Sequence, residues 1–93
     1  MKTFKDLVFT PHFSDESGVQ ARMTFDNGYG VSVIKTLFSY GGNKGLYELA
    51  VLDSSGSITY DTTITDDVLG YLSEDEVTEN MIKIQKILTF NLK

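Results

Sequence analysis

The sequence predicts an α+β fold: a mostly antiparallel sheet of four to five strands with a C-terminal amphipathic helix packed on one face. Two observations support this prediction. Residues 18–25 alternate strictly between apolar and polar side chains and lead into Asn27-Gly28, which is the pattern of a β-hairpin. Ser73 and Glu76 form a capping box ahead of an apolar stripe, which indicates a helix start. The 93 residues are predicted to form a single domain, 1–93.

The N-terminal part of the chain is predicted to form strands. Residues 4–10 are interpreted as the first strand, and Pro11 ends it because proline cannot donate to a β-ladder. Residues 13–17 are expected to form a polar loop. The strand over residues 18–25 then places its apolar side chains on one face and its polar side chains on the other.

The Asn27-Gly28 turn is predicted to be of type I′, because that turn needs positive φ at both central residues. The return strand is expected over residues 29–37. Within it, Gly30 indicates a bulge or a close approach by another group, since a glycine weakens a strand that has no such need.

The middle of the chain is predicted to continue the sheet. Residues 39–45 form a flexible loop that contains one aromatic residue, Tyr40. Residues 46–52 are mostly apolar on both faces, which favours a central strand. A turn at residues 53–56 then leads into a short strand at 57–61.

Helix signals follow. Thr65 is predicted to cap a short helical turn that Gly70 ends. The main helix is expected over residues 74–88, with an apolar stripe formed by Val77, Met81, Ile84, Ile87 and Leu88. One helix covers only one face of a sheet, so the other face is expected to be wet, or covered by a second copy of the chain or by a partner.

The charges are unevenly distributed along the chain. The net charge is −5, and no basic residue lies between Lys44 and Lys83. Direct nucleic-acid binding is disfavoured because it needs a basic footprint. The acidic stretch can attract a basic partner protein. It can equally do no more than keep the protein soluble, and both interpretations stay open.

The remaining composition points to a cytosolic protein. No stretch approaches the roughly 18 apolar residues that a membrane helix needs. Asp6, near the N-terminus, argues against a secretory signal peptide. The absence of cysteine excludes a disulfide scaffold, a thiolate metal site and a cysteine nucleophile.

No motif in the sequence indicates an enzyme, a metal site or a cofactor site. His12 is the only histidine, and no serine lies in a nucleophile elbow. Asp61, Asp66 and Asp67 lack the spacing of a calcium loop, so helix capping explains them better. The glycines match neither the dinucleotide-binding pattern nor the P-loop pattern, and turns account for them.

The candidate partner-binding residues are one tyrosine and five acids. Tyrosines near glycine-rich turns are good interface anchors, because they bring large contact area at low entropy cost. Packing in the core is expected to use most of the aromatic residues considered, which are Tyr29, Phe38, Tyr40, Tyr47 and Tyr60. Tyr40 is the most promising for exposure. The predicted partner-binding set is Tyr40, Asp66, Asp67, Glu74, Asp75 and Glu79.

Two strings in the sequence carry a resemblance. They are Asn-Gly-Tyr-Gly-Val-Ser-Val at 27–33 and Ile-Thr-Asp-Asp-Val at 64–68. Over roughly residues 4–88 the chain resembles a group of small proteins encoded by bacteriophages and prophages. That group often has proline where this chain has Thr63, a departure that touches a turn.

The resemblance implies a phage genome context and gives no mechanism. By analogy with small acidic phage proteins that bind and block a host machine, we expect a binding protein that acts in the host cytoplasm. An anti-CRISPR role or another anti-defence role is the expected function, with a nucleic-acid-binding defence complex as the possible partner. The alternative is a phage structural or housekeeping protein without enzymatic activity that acts as a homo-oligomer, a homodimer being one such assembly. Fold or genome analogy does not by itself establish a site.

Overall fold

The computed structural model describes residues 1–62, 64 and 67–88. Within them, five antiparallel strands form one sheet in the order β1-β2-β3-β4-β5, and a C-terminal helix packs against it. The predicted fold class is confirmed. The elements are two 3-10 turns at Phe4–Asp6 and Gly42–Lys44, β1 at Thr10–His12, β2 at Asp15–Thr24, β3 at Gly30–Lys35, β4 at Tyr47–Leu52, β5 at Leu69–Leu72 and α1 at Glu74–Gln85.

The core lies between one sheet face and α1. Ala21 pairs with Val33, and Val33 pairs with Leu49, so side chains on three strands point to the same face. The helix contributes the fully buried Val77, Met81 and Ile84, at the spacing that the sequence predicted. Removing side chains of this size from water provides roughly 1.5–3 kcal/mol each.

The first predicted strand, residues 4–10, is wrong. Phe4–Asp6 is a 3-10 turn capped by Asp6, whose carboxylate accepts from the Thr3 N–H at 2.9 Å. The Phe4 N–H donates to Thr78 Oγ1 at 3.0 Å, which ties this segment to α1. The Phe4 and Phe9 rings pack against each other and against the Tyr47 ring, all within 5.7 Å between centroids. The N-terminal segment therefore covers part of the core face beside the helix.

The first pairing begins later than predicted. Pro11 lies inside β1 and pairs with Val19, which is allowed because β1 is an edge strand and its outer side needs no donor. The loop predicted at 13–17 shrinks to a tight turn at Phe13 and Ser14, and β2 already begins at Asp15.

The β2–β3 hairpin is confirmed, but its turn is not of type I′. A type I′ turn would need positive φ at both Asn27 and Gly28. Gly28 has a φ of 91°, but Asn27 does not have a positive φ, since Tyr71 alone does so among the described residues other than glycine. The Phe25 N–H donates to the Tyr29 carbonyl at 2.7 Å, which closes a three-residue loop ending in a left-handed glycine. Gly30 shows the predicted close approach, since a Cβ there would lie 2.6 Å from the Met23 carbonyl oxygen.

Asn27 bridges the hairpin and the helix. Its Oδ1 accepts from the Tyr29 N–H at 3.1 Å. Its Nδ2 donates to the carbonyls of Ile84 at 2.8 Å and Ile87 at 3.1 Å. These carbonyls lie at the helix C-terminus, where backbone acceptors lack partners within the helix. Asparagine here serves a long-range contact rather than the turn conformation that the sequence suggested.

The fifth strand lies further along the chain than predicted. At 57–61 there is only an isolated bridge between Leu52 and Ile58. The pairing on the outer edge of β4 comes instead from β5, so the helical turn ending at Gly70 is wrong. Thr65, its predicted cap, lies outside the described residues. A strand buried on both faces, as β4 is, needs its edge groups paired, and this outweighs the local capping pattern.

The capping box at the start of α1 is confirmed. Glu76 N–H donates to Ser73 Oγ at 3.1 Å, and Ser73 N–H donates to Glu76 Oε1 at 2.9 Å. The helix ends at Gln85 rather than at residue 88, and Leu88 is exposed. Ile87 takes the last position of the apolar stripe, packed partly against the core.

The second sheet face has no helix on it in the part of the chain that the structure describes. Thr24, Ser32 and Ile34 point to this open face, because their neighbours in the same strands point to the core. Arg22 Nη1 donates to the Gly56 carbonyl at 3.2 Å. The Arg22 side chain therefore reaches across β3 toward the turn after β4.

Candidate protein-binding surface

Large apolar side chains are exposed at one end of the sheet. In an antiparallel sheet the start of β2, the end of β3, the start of β4 and the end of β5 meet at the same end. The residues concerned, with their exposed fractions, are Phe13 at 86%, Leu37 at 63%, Phe38 at 88%, Tyr40 at 59% and Tyr71 at 56%. We call these five residues the aromatic end.

The aromatic end is large for a protein of this size. A whole aromatic side chain has on the order of 150–250 Å² of surface, so the exposed fractions of these five large side chains add up to roughly 600 Å². The largest apolar patch on a typical monomer is about 300–600 Å², and one partner in a standard interface buries about 800 Å². This concentration of exposed aromatic side chains makes the aromatic end the candidate binding surface.

Asp15 links two of the turns that form the aromatic end. Its Oδ2 accepts from the Leu37 N–H at 3.1 Å, and its Oδ1 accepts from the Ser17 hydroxyl at 2.6 Å. These bonds lower the pKa of Asp15, the Ser17 hydroxyl being the largest cause and the Leu37 N–H the next. On the β1–β2 turn, the His12 ring stacks on the Phe13 ring with 4.6 Å between centroids.

A β-bulge lies at the end of β5. Tyr47 pairs with Leu72 and Leu49 pairs with Leu69, so two residues of β5, Gly70 and Tyr71, lie opposite the single residue Glu48. Tyr71 has φ 58°, a left-handed conformation that a bulky residue rarely adopts. Bulges of this kind redirect side chains and are frequent beside functional sites.

The bulge holds Tyr40 and Glu48 against Tyr71. The Tyr71 N–H donates to the Tyr40 carbonyl at 3.1 Å, and the Tyr40 N–H donates to Glu48 Oε1 at 2.8 Å. A Cβ on Gly70 would clash with Tyr40 Cβ, and one on Gly41 would lie 2.8 Å from Tyr71 Cα. Both glycines are therefore needed for this packing. We call Tyr40, Glu48 and Tyr71 the tyrosine cluster.

The predicted partner-binding residues are distributed over two places. Tyr40 is exposed, as predicted, and belongs to the aromatic end. Glu74, Asp75 and Glu79 are exposed on α1, with Asp75 and Glu79 one turn apart. Only Leu72 and Ser73 separate the helix from Tyr71 in the chain.

The two remaining predicted acids lie before β5. Asp67 is exposed, and its Oδ1 accepts from the Val68 N–H at 2.8 Å. Asp66 lies outside the described residues.

Sequence reasoning missed four residues of this surface: Phe13, Leu37, Glu48 and Tyr71. The available signal for Tyr71 was a glycine followed by a tyrosine, Gly70-Tyr71, which was interpreted as a helix end. Most of the aromatic residues considered were expected to lie in the core. Phe38 is instead 88% exposed, and Tyr60 is 50% exposed. A single sequence does not separate an exposed aromatic residue from a core residue when both follow a turn.

The described residues contain no group of three or more histidine, cysteine, aspartate or glutamate side chains arranged to hold a metal ion. None of the helices in the described ranges is long and apolar enough to cross a membrane. A surface hollow lined by Thr3, Phe4, Lys5, Glu74, Asp75 and Thr78 joins the N-terminal segment to the start of α1.

Comparisons with protein-family models, with curated proteins and with solved structures find no match to this chain. The fold and the surface define a small α+β domain with an exposed aromatic end near the acidic start of its helix. The resemblance of two sequence strings to small phage proteins stays an expectation.

Proposed function

We propose that this chain is a phage-encoded binding protein, without enzymatic activity, that inhibits a host protein machine by covering one of its working surfaces. The single observation that supports this proposal most is the aromatic end, an exposed apolar surface of five side chains on a small acidic domain. Interface centres are enriched in tyrosine and phenylalanine and depleted in charge, and acids at the rim steer the encounter with a basic partner.

A basic surface that normally holds nucleic acid is the partner surface that fits these charges. The acids on the first turns of α1 are Glu74, Asp75, Glu76 and Glu79, and β5 brings Tyr71 to within three residues of Glu74. A defence complex of the host is the kind of target that this chemistry suits, and the host cytoplasm is where the two would meet. In the alternative, the aromatic end joins copies of this chain as a homo-oligomer, and solution mass at working concentration distinguishes the two.

The test begins with capture of a partner from host lysate on immobilised protein, followed by purification of that partner. The purified partner should lose its nucleic-acid binding or its activity when this chain is added in excess. If it keeps both at saturation, the proposed inhibition is refuted. If the chain is a stable oligomer and captures nothing, the homo-oligomer alternative takes its place.

The contribution of the acids is tested by neutralising Asp75 and Glu79 to Asn and Gln, which leaves the capping pair of Ser73 and Glu76 untouched. Association with the captured partner should slow and become less sensitive to salt, because rim charges act mainly on the association rate. The matched control neutralises Asp26 and Asp61, two exposed acids outside the helix. An equal effect of both double variants would mean that only the net charge matters.

A further inference from the structure

The tyrosine cluster contains a backbone conformation that bulky residues rarely adopt, the left-handed Tyr71. The left-handed conformation is strained for a tyrosine and persists only where the surroundings enforce it. Here the Tyr40 carbonyl accepts the Tyr71 N–H, and Gly41 and Gly70 leave room for the Tyr40 and Tyr71 segments to approach each other. More than half of Tyr71 is nevertheless exposed, so burial of its side chain contributes little stability to offset the strain.

The cluster presents aromatic surface beside a positioned carboxylate. Tyr40 and Tyr71 are joined by the hydrogen bond between their backbones, and Glu48 lies opposite the bulge that carries Tyr71. The Tyr40 N–H fixes Glu48 Oε1, and no hydrogen bond to Oε2 occurs within the described part of the chain. One carboxylate oxygen is therefore available to a ligand.

This combination suits a guanidinium group better than an ammonium group. The guanidinium is planar, stacks on aromatic faces, is weakly hydrated and donates in a fixed fork to a carboxylate. An ammonium group is a strongly hydrated point charge without a stacking plane. We propose that Tyr40, Glu48 and Tyr71 form a binding site for an arginine side chain of a partner protein, which specifies the partner chemistry of the proposed function and rests on it.

A second copy of this chain is a poor source for that side chain. The sequence contains a single arginine, Arg22, and its guanidinium already donates to the Gly56 carbonyl on the open face. Two copies would also bring like charges together, at a net charge of −5 each. The occupant is therefore a different protein with an exposed arginine on a basic surface.

The site can be tested without the partner, by titrating the labelled protein with tetra-arginine and with tetra-lysine peptides while its amide resonances are followed. Tetra-arginine should shift the resonances of Tyr40, Glu48 and Tyr71 and bind several-fold more tightly than tetra-lysine. Glu48→Gln keeps an oxygen for the Tyr40 N–H and removes the charge, and it should weaken tetra-arginine on the order of tenfold. Tyr40→Leu keeps apolar bulk, and it should remove the preference for arginine.

Asp26→Asn is the matched control, because it removes one exposed carboxylate charge at the opposite end of β2 and leaves the tyrosine cluster intact; it should change tetra-arginine affinity less than twofold. Thermal unfolding of each variant confirms that the fold is retained. The proposal is overturned by equal affinity for the two peptides, by equal effects of Glu48→Gln and Asp26→Asn, or by no shift at the cluster up to roughly 10 mM peptide. If the peptide titration fails, the capture and inhibition experiment can still succeed. If the capture experiment fails, the preference for arginine can still be measured with the peptides.

Discussion

Asn27 provides the sharpest test of how the hairpin and the helix hold each other. Its side chain makes three hydrogen bonds, one to Tyr29 and two to the carbonyls of Ile84 and Ile87. A hydrogen bond of this kind contributes about 0.5–1.5 kcal/mol net. Asn27→Ala removes all three, and we expect the free energy of unfolding to fall by about 2–3 kcal/mol, a large part of the total for a small domain.

Asn27→Asp should be worse than Asn27→Ala, although aspartate has nearly the shape of asparagine. One carboxylate oxygen still accepts from the Tyr29 N–H, but the other faces the two carbonyl oxygens that asparagine had satisfied. The helix C-terminus also carries the negative end of the helix dipole, which disfavours an anion there. We expect a loss of about 3–4 kcal/mol at pH 7, from the lost bonds and the added repulsion.

The substituted carboxyl also gives this prediction a pH dependence. Its folded pKa should be raised above the unfolded value of about 3.9, because the folded state disfavours the charged form. The stability of Asn27→Asp relative to wild type should therefore be greatest below about pH 4 and fall as the pH rises through the folded pKa. Protonation allows the carboxyl to donate to a carbonyl in place of the amide.

The assay is urea unfolding followed by circular dichroism, with Asp26→Asn as the control for a neighbouring exposed position. The control should change the free energy of unfolding by less than about 0.5 kcal/mol. The slope with urea should stay constant, which shows that the surface exposed on unfolding is unchanged. If Asn27→Asp is as stable as wild type at pH 7, or more stable than Asn27→Ala, the role assigned to the amide is refuted.

Two further predictions concern the core and the aromatic end. Ile84→Asp places a charge at a fully buried helix position and should unfold most of the population at pH 7, whereas melting within a few degrees of wild type would contradict the docking of α1. The lowered pKa of Asp15 means that its ionised form stabilises the fold at neutral pH, an effect lost as the pH falls below 3.8. Asp15→Asn should therefore reduce the hydrogen-exchange protection of the Leu37 amide at pH 7. Unchanged protection in that variant would show that other contacts hold the loop.

Several elements of the fold followed from the sequence because they depend on neighbouring residues. The capping box at Ser73 and Glu76 closes within one helical turn, and it forms as predicted. The stripe of Val77, Met81 and Ile84 follows from the helical period alone. The β2–β3 hairpin follows from alternation and a turn glycine, although the type of turn does not.

The candidate surface was only partly predictable. Tyr40 was expected to be exposed and is exposed, but its neighbours Glu48 and Tyr71 lie on β4 and β5, which residues 53–68 separate in the chain. Nothing local in the sequence indicates that Gly70 and Tyr71 together oppose Glu48. That arrangement arises from the pairing register of β4 and β5, which depends on the whole sheet.

The sequence by itself determined the class of fold, the docked face of the helix and the acidic balance, because periodicity, capping and charge are properties of neighbouring residues. Only the tertiary structure decided that the N-terminal segment crosses the core face, that β5 rather than residues 57–61 completes the sheet, and that Asn27 binds the helix end. Each of these results from competition among distant segments for the same backbone partners and the same buried surface. Local patterns do not encode that competition, since buried polar groups must be paired wherever a partner is available.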